Sequence, residues 1–270
     1  MGQVPSLRET TIQQAIHVAA QALPAWRSAT ALERAQRLVR WHTLILENLA
    51  DLAQLLCLEQ GKPLKEAEDE IRYGASFVLW FAEEAKRVMG EIIQAPWPQQ
   101  TLWVQKQAIG VIGAITPWNF PMAMITRKCA PALAAGCTVV LKPSELTPFS
   151  ALALAALAEE AGFPPGIFNV ITGDAELIST IFCKHPAVRK LSFTGSTHVG
   201  RLLIQKSAPQ IKRLSLELGG NAPFIVFDDA QLNQAVEGAL AAKFRNSGQT
   251  YLHEKIYDRF VEQFVRASAP

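Results

Sequence analysis

Between residues 107 and 217, short apolar runs rich in β-branched residues alternate with stretches of helical periodicity. The runs fall near 107–114, 137–141, 167–171, 189–194 and 212–216, and helical segments near 122–135, 147–161, 174–183 and 197–206 separate them. Adjacent parallel strands need crossovers of a dozen or more residues, which a helix supplies, and such crossovers are right-handed. The pattern therefore predicts an α/β chain with a doubly wound, mostly parallel sheet. Ligands of open α/β sheets bind beyond the carboxyl ends of the strands. The turns that leave each strand are the places to look for chemistry.

The first is Ile115-Thr116-Pro117-Trp118-Asn119-Phe120-Pro121. Its two prolines stiffen it. Asn119 can present an amide N–H at a fixed point, as an oxyanion-binding group must, or it can simply cap the next helix. The second is Lys142-Pro143-Ser144-Glu145, directly after an apolar strand. Its lysine can hold ribose hydroxyls or phosphate, while its carboxylate can accept from a ribose 2′-OH and repel a 2′-phosphate. The alternative there is a polar loop shaped by Pro143. In the third, Phe193-Thr194-Gly195-Ser196, Gly195 permits close backbone approach and the helix start suits a pyrophosphate. His198, just beyond, reads as a surface residue. Finally, Leu216-Glu217-Leu218-Gly219-Gly220 sets a carboxylate among apolar neighbours. Partial burial would raise its pKa and suit it to general-base work, unless it pairs with an arginine for structure.

Residues from about 9 to 90 read as a helical region. One helix is expected to stop at Pro24, and Thr30-Ala31-Leu32-Glu33 is a capping box that opens a long helix ending at Gly61. Pro63 starts the next helix, which runs to about Val88. Glu66, Glu68, Asp69 and Glu70 read as its solvated face. Alternation in 101–107 suggests a strand or hairpin arm, placed near 97–108. Lys and Arg are scattered among Asp and Glu at a net charge of +2, so no basic stripe suggests nucleic acid. No apolar run is long enough for a helical membrane span, and the first residues lack a secretory pattern. Cys57, Cys129, Cys137 and Cys183 are too widely spaced for a metal site or disulfide framework, and a reducing cytoplasm is expected.

Thr116-Pro117-Trp118-Asn119-Phe120-Pro121, Lys142-Pro143-Ser144-Glu145, Phe193-Thr194-Gly195-Ser196 and Glu217-Leu218-Gly219-Gly220 occur in this order. Together they resemble the NAD(P)-dependent aldehyde dehydrogenase superfamily. Ile125-Thr126-Arg127-Lys128 and Leu214 to Phe224 look most like its succinate-semialdehyde dehydrogenase branch. The resemblance implies a Rossmann-like cofactor domain over 1–217, with 218–270 a stub of the catalytic domain. It implies that Asn119 supplies the oxyanion-hole amide and that Glu217 is the general base that activates the deacylating water. Thr116, Pro117, Trp118, Lys142, Ser144, Glu145, Gly195 and Ser196 would bind the dinucleotide, and Leu218 and Gly219 would line the nicotinamide pocket. Arg127 would bind the distal carboxylate of a semialdehyde. Glu145 stands where NADP-preferring relatives tend to carry a smaller residue, so NAD is expected, with NADP possible. A small aldehyde is the implied partner, and family members are homo-oligomers.

The chain departs from the family at the nucleophile. The family's cysteine follows Gly-Gln-Thr, whereas here Gly248-Gln249-Thr250 is followed by Tyr251. Strands expected before residue 9 and most of the catalytic domain expected after Pro270 are not in this sequence. The family mechanism needs a thiolate to attack the aldehyde, and a tyrosine hydroxyl, pKa ~10, is a poor substitute. Aldehyde oxidation by this chain is therefore not expected, and the strand near 222–227 is expected to lack partners. Three readings stay open: a cofactor domain with a stub, a non-catalytic relative, and part of a longer polypeptide.

Overall fold

The computed structural model describes residues 2–246 and 249–268. The chain forms two compact units, Met1–Leu218 and Gly219–Pro270. The first begins with four helices: α1 (Glu9–Ser28), α2 (Ala31–Glu47), α3 (Leu49–Gln60) and α4 (Leu64–Ala85). The capping box of α2 is present, with Thr30 and Glu33 each bonded to the other's backbone N–H. Gly61 ends α3 in the left-handed conformation, at φ 84°.

Three expectations for this region need correction. Helix α1 continues through Pro24, because Trp26 beyond it is sunk in the core and donates its indole N–H to Leu133 O at 3.1 Å. The long second helix is broken at Asn48, whose side chain donates to Leu44 O at 2.8 Å and competes with the backbone ladder. Glu70 does not belong to a solvated face. It is 3% exposed, on the same helical stripe as Ala67, Ile71 and Gly74.

A hairpin follows, β1 (Glu91–Gln94) paired antiparallel with β2 (Thr101–Val104). Its first strand lies ahead of the arm expected near 97–108. The chain then alternates β3 (Val111–Ile115), α5 (Ala123–Ala134), β4 (Thr138–Lys142), α6 (Phe149–Glu160), β5 (Phe168–Val170), α7 (Ala175–Lys184), β6 (Val188–Thr194), α8 (Thr197–Ser207) and β7 (Arg213–Glu217). All five of these last strands are parallel, in the order β5-β4-β3-β6-β7. The doubly wound sheet is as expected. Strand order reverses between β3 and β6, so the turns after these two strands flank the switch-point crevice.

Two apolar clusters cover the sheet. One is built on Trp26, Leu38, Trp41, Ile71, Leu133 and Leu154. The other contains Ile12, Ile16, Ile178, Phe182, Leu191 and Leu203. Trp41 satisfies its buried indole by donating to Leu154 O at 3.1 Å. Each such tryptophan hides roughly 200 Å² of surface, worth about 5 kcal/mol before entropy is counted.

The second unit holds β8 (Pro223–Val226), α9 (Leu232–Asn246), β9 (Gln249–Leu252) and α10 (Tyr257–Ser268). Strand β8 is not without a partner, as expected above, but pairs in parallel with β9. Val226, Val236, Ala239, Ile256 and Phe260 form this unit's small core.

Candidate active site

The turn after β3 is fixed on both sides. Thr116 donates its backbone N–H to Lys142 O at 3.2 Å, tying this turn to the end of β4. Beyond it, Lys62 Nζ donates to Asn119 O at 3.3 Å, and Glu70 Oε1 accepts from Met122 N and Ala123 N at 2.9 and 3.2 Å. Pro117 is half-buried and Trp118 exposed. Thr116 Oγ1 and Asn119 Oδ1 are buried without hydrogen-bond partners.

The turn after β4 begins with Lys142, which is 4% exposed and pairs with the exposed carboxylate of Glu145. Ser144 is buried, and its Oγ accepts from Leu146 N at 3.2 Å. Pro143, Ser144 and Glu145 face Thr172, Gly173 and Asp174 across a cavity of about 480 Å³. After β6, Gly195 donates to Glu217 O at 3.1 Å, and Ser196 caps α8 by accepting from Val199 N at 3.2 Å. A Cβ on Gly195 would lie 2.4 Å from Phe193 Cζ, so glycine is required for packing there. Thr194 Oγ1 is a third buried oxygen without a partner. His198 is exposed.

A groove of about 580 Å³ runs between α5 and the outer strands β6 and β7, lined by Arg127, Lys128, Lys190, Ser192, Ser215 and Glu217 among others. Its floor follows from strand alternation. Lys190, Ser192 and Thr194 sit in register with Arg213, Ser215 and Glu217, and alternate residues share one face. Arg127 and Glu217 meet across the groove at 3.8 Å. The burial expected for Glu217 is absent: its side chain is 61% exposed, because β7 is an edge strand with only its Leu214–Leu216 face packed. The contact with Arg127 is long and exposed, and it leaves the Glu217 carboxylate open to water. Asn119 is not among the residues that line this groove. Leu218 packs on Gly200 of α8, and Gly219 opens the second unit.

Lys128 was not singled out from the sequence. Its Nζ lies 3.5 Å from Ser192 Oγ, and burial pushes its pKa down to about 8, partly opposed by Cys129 and Glu217. It can therefore exchange a proton near neutral pH. The usable signal was its place one residue after Arg127 on α5, facing the sheet. Cys129, Cys137 and Cys183 are buried and all four cysteines are free thiols. Burial raises the thiol pKa of Cys129 and Cys183, which makes both poor nucleophiles. Ser247 and Gly248, ahead of the Thr250–Tyr251 junction, lie outside the described residues. Among the described residues no His, Cys, Asp or Glu cluster could hold a metal ion, and no helix is long and apolar enough to cross a membrane.

The carboxyl edge thus offers a buried lysine beside a carboxylate, a capped helix start behind a glycine, and three buried oxygens lacking donors. A dinucleotide has hydroxyls and an amide for the oxygens and a pyrophosphate for the helix start, so the residues fit such a group.

A five-stranded parallel sheet crossed by helices, with its strand order reversing between β3 and β6, defines the doubly wound α/β class. More narrowly, the chain belongs to the aldehyde dehydrogenase family, whose model matches residues 1–269. It is 58% identical to succinate-semialdehyde dehydrogenase [NADP(+)] GabD of Escherichia coli K12, over 99% of this chain and 57% of that protein. It is 56% identical to the glutarate-semialdehyde dehydrogenase of Pseudomonas aeruginosa, over 100% and 57%. An Escherichia coli NADP-dependent enzyme of solved structure superposes with a TM-score of 0.96 at 57% identity, covering 99% of this chain and 57% of that one. A 3,6-anhydro-L-galactose dehydrogenase in complex with NAP gives 0.93 at 37% identity, over 97% and 56%. The chain spans a little over half the length of these relatives.

Proposed function

We propose that the first unit binds a nicotinamide dinucleotide along the carboxyl edge of its sheet, at a site of the kind that oxidises an aldehyde with a distal carboxylate, succinic semialdehyde, although this chain lacks the nucleophile for that reaction. The observation that carries the reading is the trio of buried, unpartnered oxygens on Thr116, Asn119 and Thr194, in the turns after β3 and β6, with the buried Lys142 at the end of β4. Each such oxygen costs about 1–3 kcal/mol when left without a donor, which a bound ligand recovers.

Lys142 and Glu145 hold the adenosine ribose, with Ser144 keeping their turn in shape. The Glu145 carboxylate accepts from a 2′-OH and repels a 2′-phosphate, which favours NAD over NADP. Gly195 and Ser196 receive the pyrophosphate, Thr116, Pro117 and Trp118 shape the crevice, and Leu218, packed on Gly200, belongs to the nicotinamide end. The nicotinamide, when bound, supplies the hydride acceptor. Asn119 donates its amide to the oxygen of the aldehyde, where negative charge develops. Arg127 pairs with the distal carboxylate, an interaction open to it because its contact with Glu217 is long and exposed. Glu217, reachable from water, stands at the general-base position, and with no thiol after Thr250 it has no acyl-enzyme to deacylate in this chain. The free cysteines suit a reducing cytoplasm.

Titration calorimetry of the chain with NAD⁺ and NADP⁺ tests the reading. Binding of NAD⁺, tighter than NADP⁺, is expected, and a folded sample that binds neither refutes it. Because Tyr251 follows Thr250 where the family has its cysteine, no turnover of succinic semialdehyde by this chain is expected. The same junction favours a second reading, a non-catalytic relative that keeps dinucleotide binding or subunit association. Co-purification with a full-length relative would support that one.

A further inference from the structure

We infer that Lys62 and Glu70 are positioning residues that lock the turn carrying Asn119, and so set the crevice for the dinucleotide. Neither belongs to the sheet. Lys62 precedes α4 and Glu70 lies on it, yet both reach the turn between β3 and α5. The two side chains pair at 2.6 Å and are 6% and 1% exposed. Glu70 spends its other oxygen on the first turn of α5, accepting from Met122 N and Ala123 N. Lys62 donates to the backbone oxygen of Asn119 and lies 4.0 Å above the Phe120 ring. Asn119, Phe120, Met122 and Ala123 are thus each gripped by one member of the pair.

The charges explain why the grip is specific. A buried carboxylate is tolerated only where donors and a counter-charge meet it. Here the helix start and the lysine provide both, so the carboxylate has one satisfied position, and the backbone that satisfies it is that of the turn. Asn119 itself contributes no recorded side-chain bond: its Oδ1 is buried without a partner. Its placement therefore comes from the backbone, and the backbone is fixed by Lys62 and Glu70. The turn is pre-organised before any ligand arrives.

The consequence for ligand binding rests on the proposed function, and the test separates the two. Glu70→Gln keeps the shape but removes the charge and half of the acceptors. In hydrogen-exchange mass spectrometry, exchange in peptides over 116–124 is expected to rise about tenfold, with α2 and α6 unchanged. NAD⁺ affinity should fall about tenfold, whereas AMP, held by the turns after β4 and β6, should stay within about twofold. If Glu70→Gln does not fold, Lys62→Gln serves, since the cap on α5 stays with Glu70 Oε1 while Glu70 Oε2, Asn119 O and the Phe120 ring lose the ammonium. It should lower NAD⁺ affinity while Met122 and Ala123 stay protected. Unchanged exchange over 116–124, an even rise through α4 and α5, or equal weakening of AMP and NAD⁺ would overturn the inference. If the unaltered chain binds no dinucleotide, the proposed function falls, and exchange alone decides the lock.

Discussion

Replacing Lys128 by methionine should stabilise the first unit at neutral pH and lose that effect in alkali. Lys128 is 7% exposed, on the apolar side of α5, with Ser192 Oγ at 3.5 Å. Its pKa falls from 10.5 to about 8, chiefly because burial penalises the ammonium. At 1.36 kcal/mol per unit, holding the charge in the folded state costs about 3 kcal/mol at pH 7. The sign follows from proton counting. Between the folded and unfolded pKa values the unfolded chain binds more protons, so the native protein gains stability as pH rises, and loses it as pH falls through about 8. Methionine, close in length, has no such cost but gives up a long hydrogen bond worth about 1 kcal/mol. The variant should therefore be more stable by about 2 kcal/mol at pH 7, an advantage that shrinks by about 2 kcal/mol toward pH 9.5. Urea unfolding, followed through the buried Trp26 and Trp41, measures both values. A difference that does not change with pH, or a variant less stable at pH 7, would show that Lys128 is not a penalised buried cation.

Two other outcomes follow from the same geometry. Glu145→Ser should narrow or reverse the preference for NAD⁺ over NADP⁺, and should also lower thermal stability because the buried Lys142 loses its counter-charge; calorimetry with both dinucleotides checks the preference. Thr30→Ala removes the hydroxyl half of the capping box at α2, leaving the Glu33 carboxylate on the residue-30 N–H, and should cost about 1 kcal/mol in urea unfolding. An unchanged midpoint would mean that the α2 start is held by packing instead.

The sheet was legible because its signal is a period. Short apolar strands separated by helical stretches leave few alternatives, and the turns then locate Asn119, Lys142, Glu145, Gly195, Ser196 and Glu217, whereas Arg127, Leu218 and Gly219 came from the family resemblance alone. What failed had tertiary causes. Pro24 should end a helix, but the cost of about 3 kcal/mol is met by Trp26 in the core. Strand β9 is short and polar at its start, and only pairing with β8 makes it a strand. Glu70 was hidden by its neighbours, since Glu66, Glu68 and Asp69 look like a solvated run. Its phase was readable, because it lies three residues after Ala67 and four before Gly74. Polarity outweighed phase in that reading, and phase was the better guide. Glu217 failed in the other direction: its apolar neighbours implied burial, but they point to the opposite face of an edge strand.

Glu70 is also one instance of a wider arrangement of charge along the carboxyl edge. Four helices follow strands of the sheet, and each start carries the positive end of a helix dipole. At α5 that end is occupied by Glu70. At α6 it is occupied by Glu59 of α3, which accepts from Phe149 N and Ser150 N at 2.8 and 3.0 Å, and whose pKa burial raises despite those bonds. At α7 Asp174 accepts from Leu177 N at 2.6 Å. At α8 the cap is the neutral Ser196. An anion approaching this edge is therefore opposed by a resident carboxylate at three of the four starts. The fourth lies behind Gly195, at the switch point. For the proposed dinucleotide, the dipoles alone would leave the pyrophosphate undecided among four turns; the resident carboxylates favour the fourth, two of them, Glu59 and Glu70, reaching in from the N-terminal helices.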